Sequence, residues 1–117
     1  MEDINVRIID RKLAKVNEKK IKNTQALSKH NQLEQDIHEI DIEGSRVFNW
    51  LSDTWSKDRE FIMQLEDLNA EYEQNRRRVQ IDLESKKDSL RNEKRKLQDS
   101  EDGLIYLKYA YEQEDVE

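Results

Sequence analysis

The second half of the chain carries an apolar stripe with the spacing of a packed helix. Alternating steps of three and four residues return to one face from Ile62 to Tyr111, as in coiled coils. This pattern predicts an α-helix over about residues 58–113. The stripe comprises Ile62, Leu65, Asn69, Tyr72, Arg76, Val79, Leu83, Lys86, Leu90, Glu93, Leu97, Ser100, Leu104, Leu107 and Tyr111. Five of its members are polar residues of the kind that specify register or partner.

The first half carries a weaker stripe that predicts a helix over about residues 3–51. It comprises Val6, Ile9, Leu13, Val16, Lys20, Asn23, Leu27 and His30 and then, after a slip of one residue, Leu33, Ile37, Ile40, Gly44, Val47 and Leu51. Gly44 marks either a break or a close approach of two backbones, and Gly103 is a second candidate break. Because the phase continues past both glycines, we expect both helices to continue.

A polar segment at residues 52–58 predicts the turn between the two helices. Residues 52–57 contain four residues of N-cap type, and Asp58 and Glu60, which follow, favour a helix N-terminus. We expect the turn at about residues 52–57. The predicted fold is therefore all-α, a single domain over residues 1–117 that forms a long antiparallel two-helix hairpin with coiled-coil-like packing.

Composition favours long helices and disfavours a buried active site. The 117 residues include no proline and only two glycines, and 41% are charged while 34% are hydrophobic. Such a chain lacks helix-breaking residues and is too polar to enclose a cavity. No nucleophile–base pair or phosphate-binding loop is present. We expect a non-enzymatic protein without a cofactor.

Targeting and redox signals are also missing from the sequence. There is no cysteine, so disulfides are excluded, and the apolar runs are too short to span a membrane. The acidic start Met1-Glu2-Asp3 does not resemble a secretory signal peptide. We expect a cytoplasmic protein whose export would need a carrier or another route.

Charge is distributed in blocks along the chain. Basic and acidic residues number 8 and 4 in residues 1–30, 3 and 12 in 31–75, 9 and 4 in 76–97, and 1 and 7 in 98–117. A hairpin folded at Thr54 would place residues 1–30 beside residues 78–107, so that two basic blocks meet. Apolar residues off the stripes would stay partly exposed, namely Ile8, Ile21, Ile42, Phe61, Leu68, Ile81, Ile105 and Tyr109. We therefore expect helices from other chains to complete the bundle.

Two polar clusters have an alternative chemical interpretation. His30, Glu34 and His38 have spacing that could bind zinc, but they lack a fourth ligand and fit an exposed polar face better, so we expect no metal site. The basic runs at residues 76–78 and 94–96 could contact phosphates. The flanking acidic blocks favour a solvated face with ion pairs over nucleic-acid binding.

Aromatic residues mark the turn and the end of the second helix. Trp50 and Trp55 flank the turn, where they either close the hairpin or anchor a partner, since Trp is enriched in interface hot spots. Tyr111 and Asp115 form a Tyr-x-x-x-Asp motif.

Together these features resemble the WXG-type, ESAT-like helical hairpins of the type VII secretion system. The segments FNWLSDTWSKDR (residues 48–59) and LRNEKRKLQDSEDGLIY (residues 90–106) are similar to the small α-helical proteins encoded beside LXG toxins in Gram-positive bacteria. The similarity covers roughly residues 45–112. The glycine of the Trp-x-Gly motif is absent, because Leu51-Ser52 follow Trp50 and Ser56-Lys57 follow Trp55.

The resemblance implies a targeting factor that binds the helical N-terminal LXG domain of a toxin. A second small helical protein would join the complex, which is then presented to the type VII machine. By this resemblance Trp55 takes the role of the turn tryptophan, and Tyr111 and Asp115 take those of the aromatic and the acid of an export motif. The implied assembly is a hetero-oligomer. Export of the protein together with the toxin is one outcome, and the isolated protein could form a homodimer.

We predict that five residues bind the partner: Trp50, Trp55, Leu83, Leu90 and Leu97. The mechanism would be bundle formation, in which the apolar stripes pack on foreign helices and polar stripe residues select the register. The alternatives are a self-associating structural coiled coil or scaffold and, third, a helical protein associated with nucleic acid.

Overall fold

The fold is an antiparallel helical hairpin, as predicted. A computed structural model describes the backbone of residues 4–116 and the side chains of residues 4–113. Helix α1 spans Ile4–Thr54 and helix α2 spans Arg59–Val116. Residues 55–58 connect them, and the described residues contain no strand. Both helices run through their glycine, so neither Gly44 nor Gly103 is a break.

The turn lies a few residues later than predicted because Asp58 caps α2. Its carboxylate Oδ1 accepts a hydrogen bond from the Phe61 N–H at 3.1 Å, and its carbonyl accepts one from the Ile62 N–H at 3.0 Å. A side-chain cap of this kind satisfies an N–H that has no partner within the helix. On the other side, the Trp55 N–H reaches the Leu51 carbonyl at 3.0 Å. Residues 52–54 therefore stay helical, although their types also suit a cap.

Contacts between the two helices group into two units. Unit 1 combines α1 up to Ser28 with α2 from Lys87 onward, and unit 2 comprises Lys29–Lys86 with the turn. Each unit has its own small core, and they are described in turn. The number of domains stays a prediction.

In unit 1 the predicted stripe of α1 forms the packed face. Ile9 and Asn23 are buried, and Val6, Leu13, Val16, Lys20 and Leu27 are half-buried. Leu90 is the buried apolar residue of α2. The Asn23 side chain donates from Nδ2 to the Leu90 carbonyl at 3.0 Å. A polar residue thus lies within the apolar contact and is satisfied there.

The pairing in unit 1 differs from the predicted one. Folding at Thr54 would place Asp10 near residue 98 and Lys20 near residue 88. Instead, Lys108 Nζ lies 2.8 Å from Asp10 Oδ1 and Lys20 Nζ lies 3.1 Å from Glu101 Oε2. The apex falls later because α1 continues to Thr54 and the turn follows it. The basic first arm therefore lies partly beside the acidic residues after 98, so the expected meeting of two basic blocks was wrong for this part.

Alternate positions of the α2 stripe are shifted by one residue, so the prediction of an unbroken phase was wrong. The shift is present from Glu73, which is half-buried, whereas the predicted Tyr72 is 39% exposed. The predicted members Leu90, Leu97, Leu104 and Tyr111 keep their places on the packed face. In unit 1 the half-buried positions are Lys87, Leu97, Glu101, Leu104, Lys108 and Tyr111, whereas Glu93, Ser100 and Leu107 are exposed. A sequence of steps of three, four and four residues is a stutter, which locally unwinds a coiled coil. The new phase places Glu101 and Lys108 beside their counter-ions in α1.

In unit 2 the slip predicted for α1 does not occur. Its packed face continues in the phase of His30, so that Glu34, Ile37, Asp41, Phe48 and Leu51 are half-buried. The predicted members Leu33, Ile40 and Val47 are 47%, 60% and 55% exposed. Across from them, Leu65 is the buried apolar residue of α2 in this unit.

Candidate helix-docking surface

Apolar side chains outside the packed faces remain in contact with solvent, as predicted. Of the eight residues expected to be partly exposed, seven are at least 41% exposed, while Phe61 is half-buried. The seven are Ile8, Ile21, Ile42, Leu68, Ile81, Ile105 and Tyr109. Single exposed apolar residues are normal, so their arrangement is what matters.

Unit 2 arranges part of this surface as a second helical stripe on α1. Leu33, Ile40 and Val47 follow one another at intervals of seven residues, and Trp50 lies three residues further. Residues at these intervals share one helical face. All four are exposed, Trp50 the most at 63%. We call these four residues the outer stripe. Helix α1 therefore has an apolar arc wider than α2 alone covers.

A groove of about 360 Å³ opens between α1 and α2 near the turn. It is lined by residues of α1 between Gly44 and Leu51, and by residues of α2 between Leu65 and Glu73. Val47 of the outer stripe and Leu68, which is 62% exposed, form part of its walls. Val47 belongs to both the groove and the outer stripe, so the two adjoin on unit 2.

The two tryptophans near the turn have different surroundings. Trp55 is 49% exposed, and its ring lies 5.6 Å from that of Phe61 at an angle of 45°. Tilted rings at this distance attract each other. Trp50 is exposed as part of the outer stripe. Trp55 therefore contributes to closing the turn, whereas Trp50 is available to a partner.

The three leucines predicted to bind a partner lie on the packed face of the hairpin, and their role in binding stays a prediction. Leu90 is only 5% exposed, and Leu83 and Leu97 are half-buried. In this conformation the Leu90 side chain is occupied by its own hairpin. Sequence reasoning chose these leucines because they belong to the predicted stripe of α2. It named Trp50 as a binding residue but assigned the other members of the outer stripe to the packed face of α1. The feature of the sequence that indicated the outer stripe was the apparent slip in α1, because the slip reflects two adjacent faces of one helix.

Asp41 organises a polar cluster at the edge of unit 2. Its Oδ2 lies 2.7 Å from Arg76 Nε, and its Oδ1 accepts a short hydrogen bond from the Tyr72 hydroxyl. This hydrogen bond is the main reason that the pKa of Tyr72 is raised. Arg76 Nη1 also lies 3.8 Å from Glu73. The first arginine of the basic run at residues 76–78 is therefore engaged within the hairpin.

The predicted zinc-spaced residues do not converge on one point. His30 is buried, and its Nε2 lies 3.0 Å from Glu34 Oε1 without the geometry of a hydrogen bond. His38 is exposed. Over the described residues, no group of three or more His, Cys, Asp or Glu is placed to hold a metal ion.

The proposed export motif is only partly visible. Tyr111 is half-buried on α2, whereas the side chain of Asp115 lies outside the described residues. Over the part of the chain that the structure describes, neither helix has an apolar stretch of the length needed to cross a membrane.

Comparison with known proteins places the chain in a family. Searches of the curated proteins and of the solved structures found no significant match. The model of one family, described as "Protein of unknown function (DUF3958)", matches residues 4–110. Because this match covers most of its length, the chain belongs to the DUF3958 family.

Proposed function

We propose that this protein is a non-enzymatic helical targeting factor. It binds the helical N-terminal LXG domain of a toxin, together with a second small helical protein, and helps direct the toxin to the type VII secretion machine. The toxin and the secretion machine come from the resemblance of segments 48–59 and 90–106. The protein is made in the cytoplasm and is either left behind or exported with its cargo.

The observation that supports binding to foreign helices is the exposed outer stripe on unit 2, together with the groove that adjoins it at Val47. Among the described residues only Ile9, Leu65 and Leu90 are buried apolar side chains, whereas the outer stripe stays in solvent. Burying apolar surface contributes roughly 25 cal/mol per Å². A third helix laid along the outer stripe would gain this contribution, as helices do in bundles.

Self-association is the alternative from another class, since an apolar stripe can also pair with a second copy. Residues 31–75 contain twelve acidic and three basic residues, so two copies meeting through this segment would repel each other. This charge favours a hetero-oligomer. A weak homodimer of the isolated protein is compatible with the proposal.

Co-expression with the products of the adjacent genes, followed by pull-down, tests the proposal. We expect a toxin with a long helical N-terminus and a second small protein to be retained. Trp50→Ala should weaken retention about tenfold, since Trp is enriched in hot spots. Tyr106→Ala is the matched control, because Tyr106 is an exposed aromatic residue of unit 1. A cooperatively melting monomer that retains neither product would contradict the proposal.

A further inference from the structure

Gly44 lies in the middle of a long helix without a role in the packing of the hairpin itself. Glycine inside a helix costs roughly 0.5–1 kcal/mol relative to alanine. No glycine of the described chain has a positive φ angle. A Cβ added at Gly44 would meet only the Tyr72 hydroxyl oxygen, at 3.8 Å, which is ordinary contact. The hairpin alone therefore does not require a glycine at this position.

The missing side chain leaves space in the groove between α1 and α2. At about 360 Å³ the groove has room for a large side chain, and its size is within the range of ligand pockets. Val47 and Leu68 offer it apolar walls and are both more than half exposed. A bulky residue of another helix could insert here as a knob inserts into a hole.

The charge around the groove indicates which kind of helix fits. Residues 31–75 have a net charge of −9, and Glu73 lines the groove itself. A second copy would present the same acidic segment, and like charges across an interface oppose binding. A helix with Lys and Arg beside its apolar residues would instead be attracted.

We propose that the groove beside Gly44 receives one bulky apolar side chain from a partner helix whose flanks are basic. This proposal rests on the proposed function, because the helix would belong to the partner. It adds where that helix docks and what chemistry it carries.

Two synthetic peptides of about 25 residues serve as probes, since much shorter isolated helices are marginal in water. Both carry the same leucine stripe, flanked by lysines in one and by glutamates in the other. Binding is measured from the anisotropy of a dye on the peptide. We expect the lysine peptide to bind, with affinity that falls as salt is raised. We expect no binding of the glutamate peptide.

Groove-filling variants locate the binding. Gly44→Met should lower the affinity for the lysine peptide about tenfold, which corresponds to roughly 1.4 kcal/mol of binding free energy. Gly103→Met is the matched control, because it makes the same change on α2 with nothing within 4 Å. Leu68→Gln on the wall should also weaken binding, whereas Ile81→Gln, an equally exposed residue of α2 that does not line the groove, should not. Circular dichroism checks that each variant is helical.

Equal binding of the lysine peptide to wild type and Gly44→Met, no binding of that peptide, or equal binding of both peptides would each overturn the proposal. A dimer in sedimentation that Gly44→Met abolishes would assign the groove to a second copy, which also overturns it. In the pull-down, equal retention of the toxin by wild type and Gly44→Met rejects the groove but leaves the proposed function standing. Failure of the wild type to retain any toxin rejects the proposed function instead.

Discussion

Asn23 donates a hydrogen bond from its side-chain amide to the backbone carbonyl of Leu90 at 3.0 Å, and the two residues are 3% and 5% exposed. A buried polar residue in a helical seam lowers stability but selects one register, because other registers leave it unpaired. Here it specifies which residue of α2 lies beside this position of α1.

Asn23→Ala should lower the free energy of unfolding by about 1–2 kcal/mol. The variant loses the hydrogen bond and leaves a small cavity beside Leu90. Urea denaturation measures the difference. Asn17→Ala, which changes an exposed asparagine of the same helix, should stay within about 0.5 kcal/mol of wild type. If both variants are equally stable, the Asn23 contact does not contribute as described.

The pair Lys20–Glu101 should contribute a small, salt-dependent stabilisation. Lys20 Nζ lies 3.1 Å from Glu101 and 3.0 Å from Gln98, and both charged side chains are partly exposed. Lys20→Glu should lower the free energy of unfolding by about 0.5–1 kcal/mol at low salt. The double variant Lys20→Glu with Glu101→Lys should recover most of it. A double variant no more stable than the single one would argue against this pairing.

Asp58→Ala should destabilise the start of α2. The carboxylate caps the Phe61 N–H, and loss of such a cap costs about 1 kcal/mol. Asp58→Asn should be close to wild type, because asparagine caps equally well. Thermal unfolding monitored by circular dichroism distinguishes the two variants. Equal melting temperatures for Asp58→Ala and Asp58→Asn would contradict the role of the Asp58 side chain as a cap.

Tyr72 should make stability fall at alkaline pH. Its pKa is raised above 10.0, mainly by the hydrogen bond to Asp41. A raised pKa means that the folded protein binds the Tyr72 proton more tightly than the unfolded chain does. This difference stabilises the fold fully at pH values below the pKa of Tyr72 in the unfolded chain, and the stabilisation is lost as the pH rises through its pKa in the folded protein. Above pH 10 the free energy of unfolding should therefore fall more steeply in wild type than in Tyr72→Phe. Tyr109→Phe, at an exposed site, is the control and should behave like wild type.

The sequence alone determined the two helices, the hairpin and the exposed apolar residues. These follow from local causes: no proline, a heptad spacing in each arm and a polar segment that contains the cap residue Asp58. Each acts within a few residues, so it can be recognised without knowing the partner helix.

Only the tertiary structure decided which face of α1 is packed in unit 2 and which alternate positions of α2 are packed, whereas in unit 1 the predicted stripe of α1 is the packed one. In α1 two adjacent faces share Ile37 and Leu51, and packing selected the one with Asp41 and Phe48 over the one with Ile40 and Val47. In α2 the face shifts so that Glu101 meets Lys20. Either face is compatible with the same helical backbone, so local helix propensity does not distinguish them. The choice therefore depends on charges and contacts from the opposite helix, and it left the outer stripe exposed.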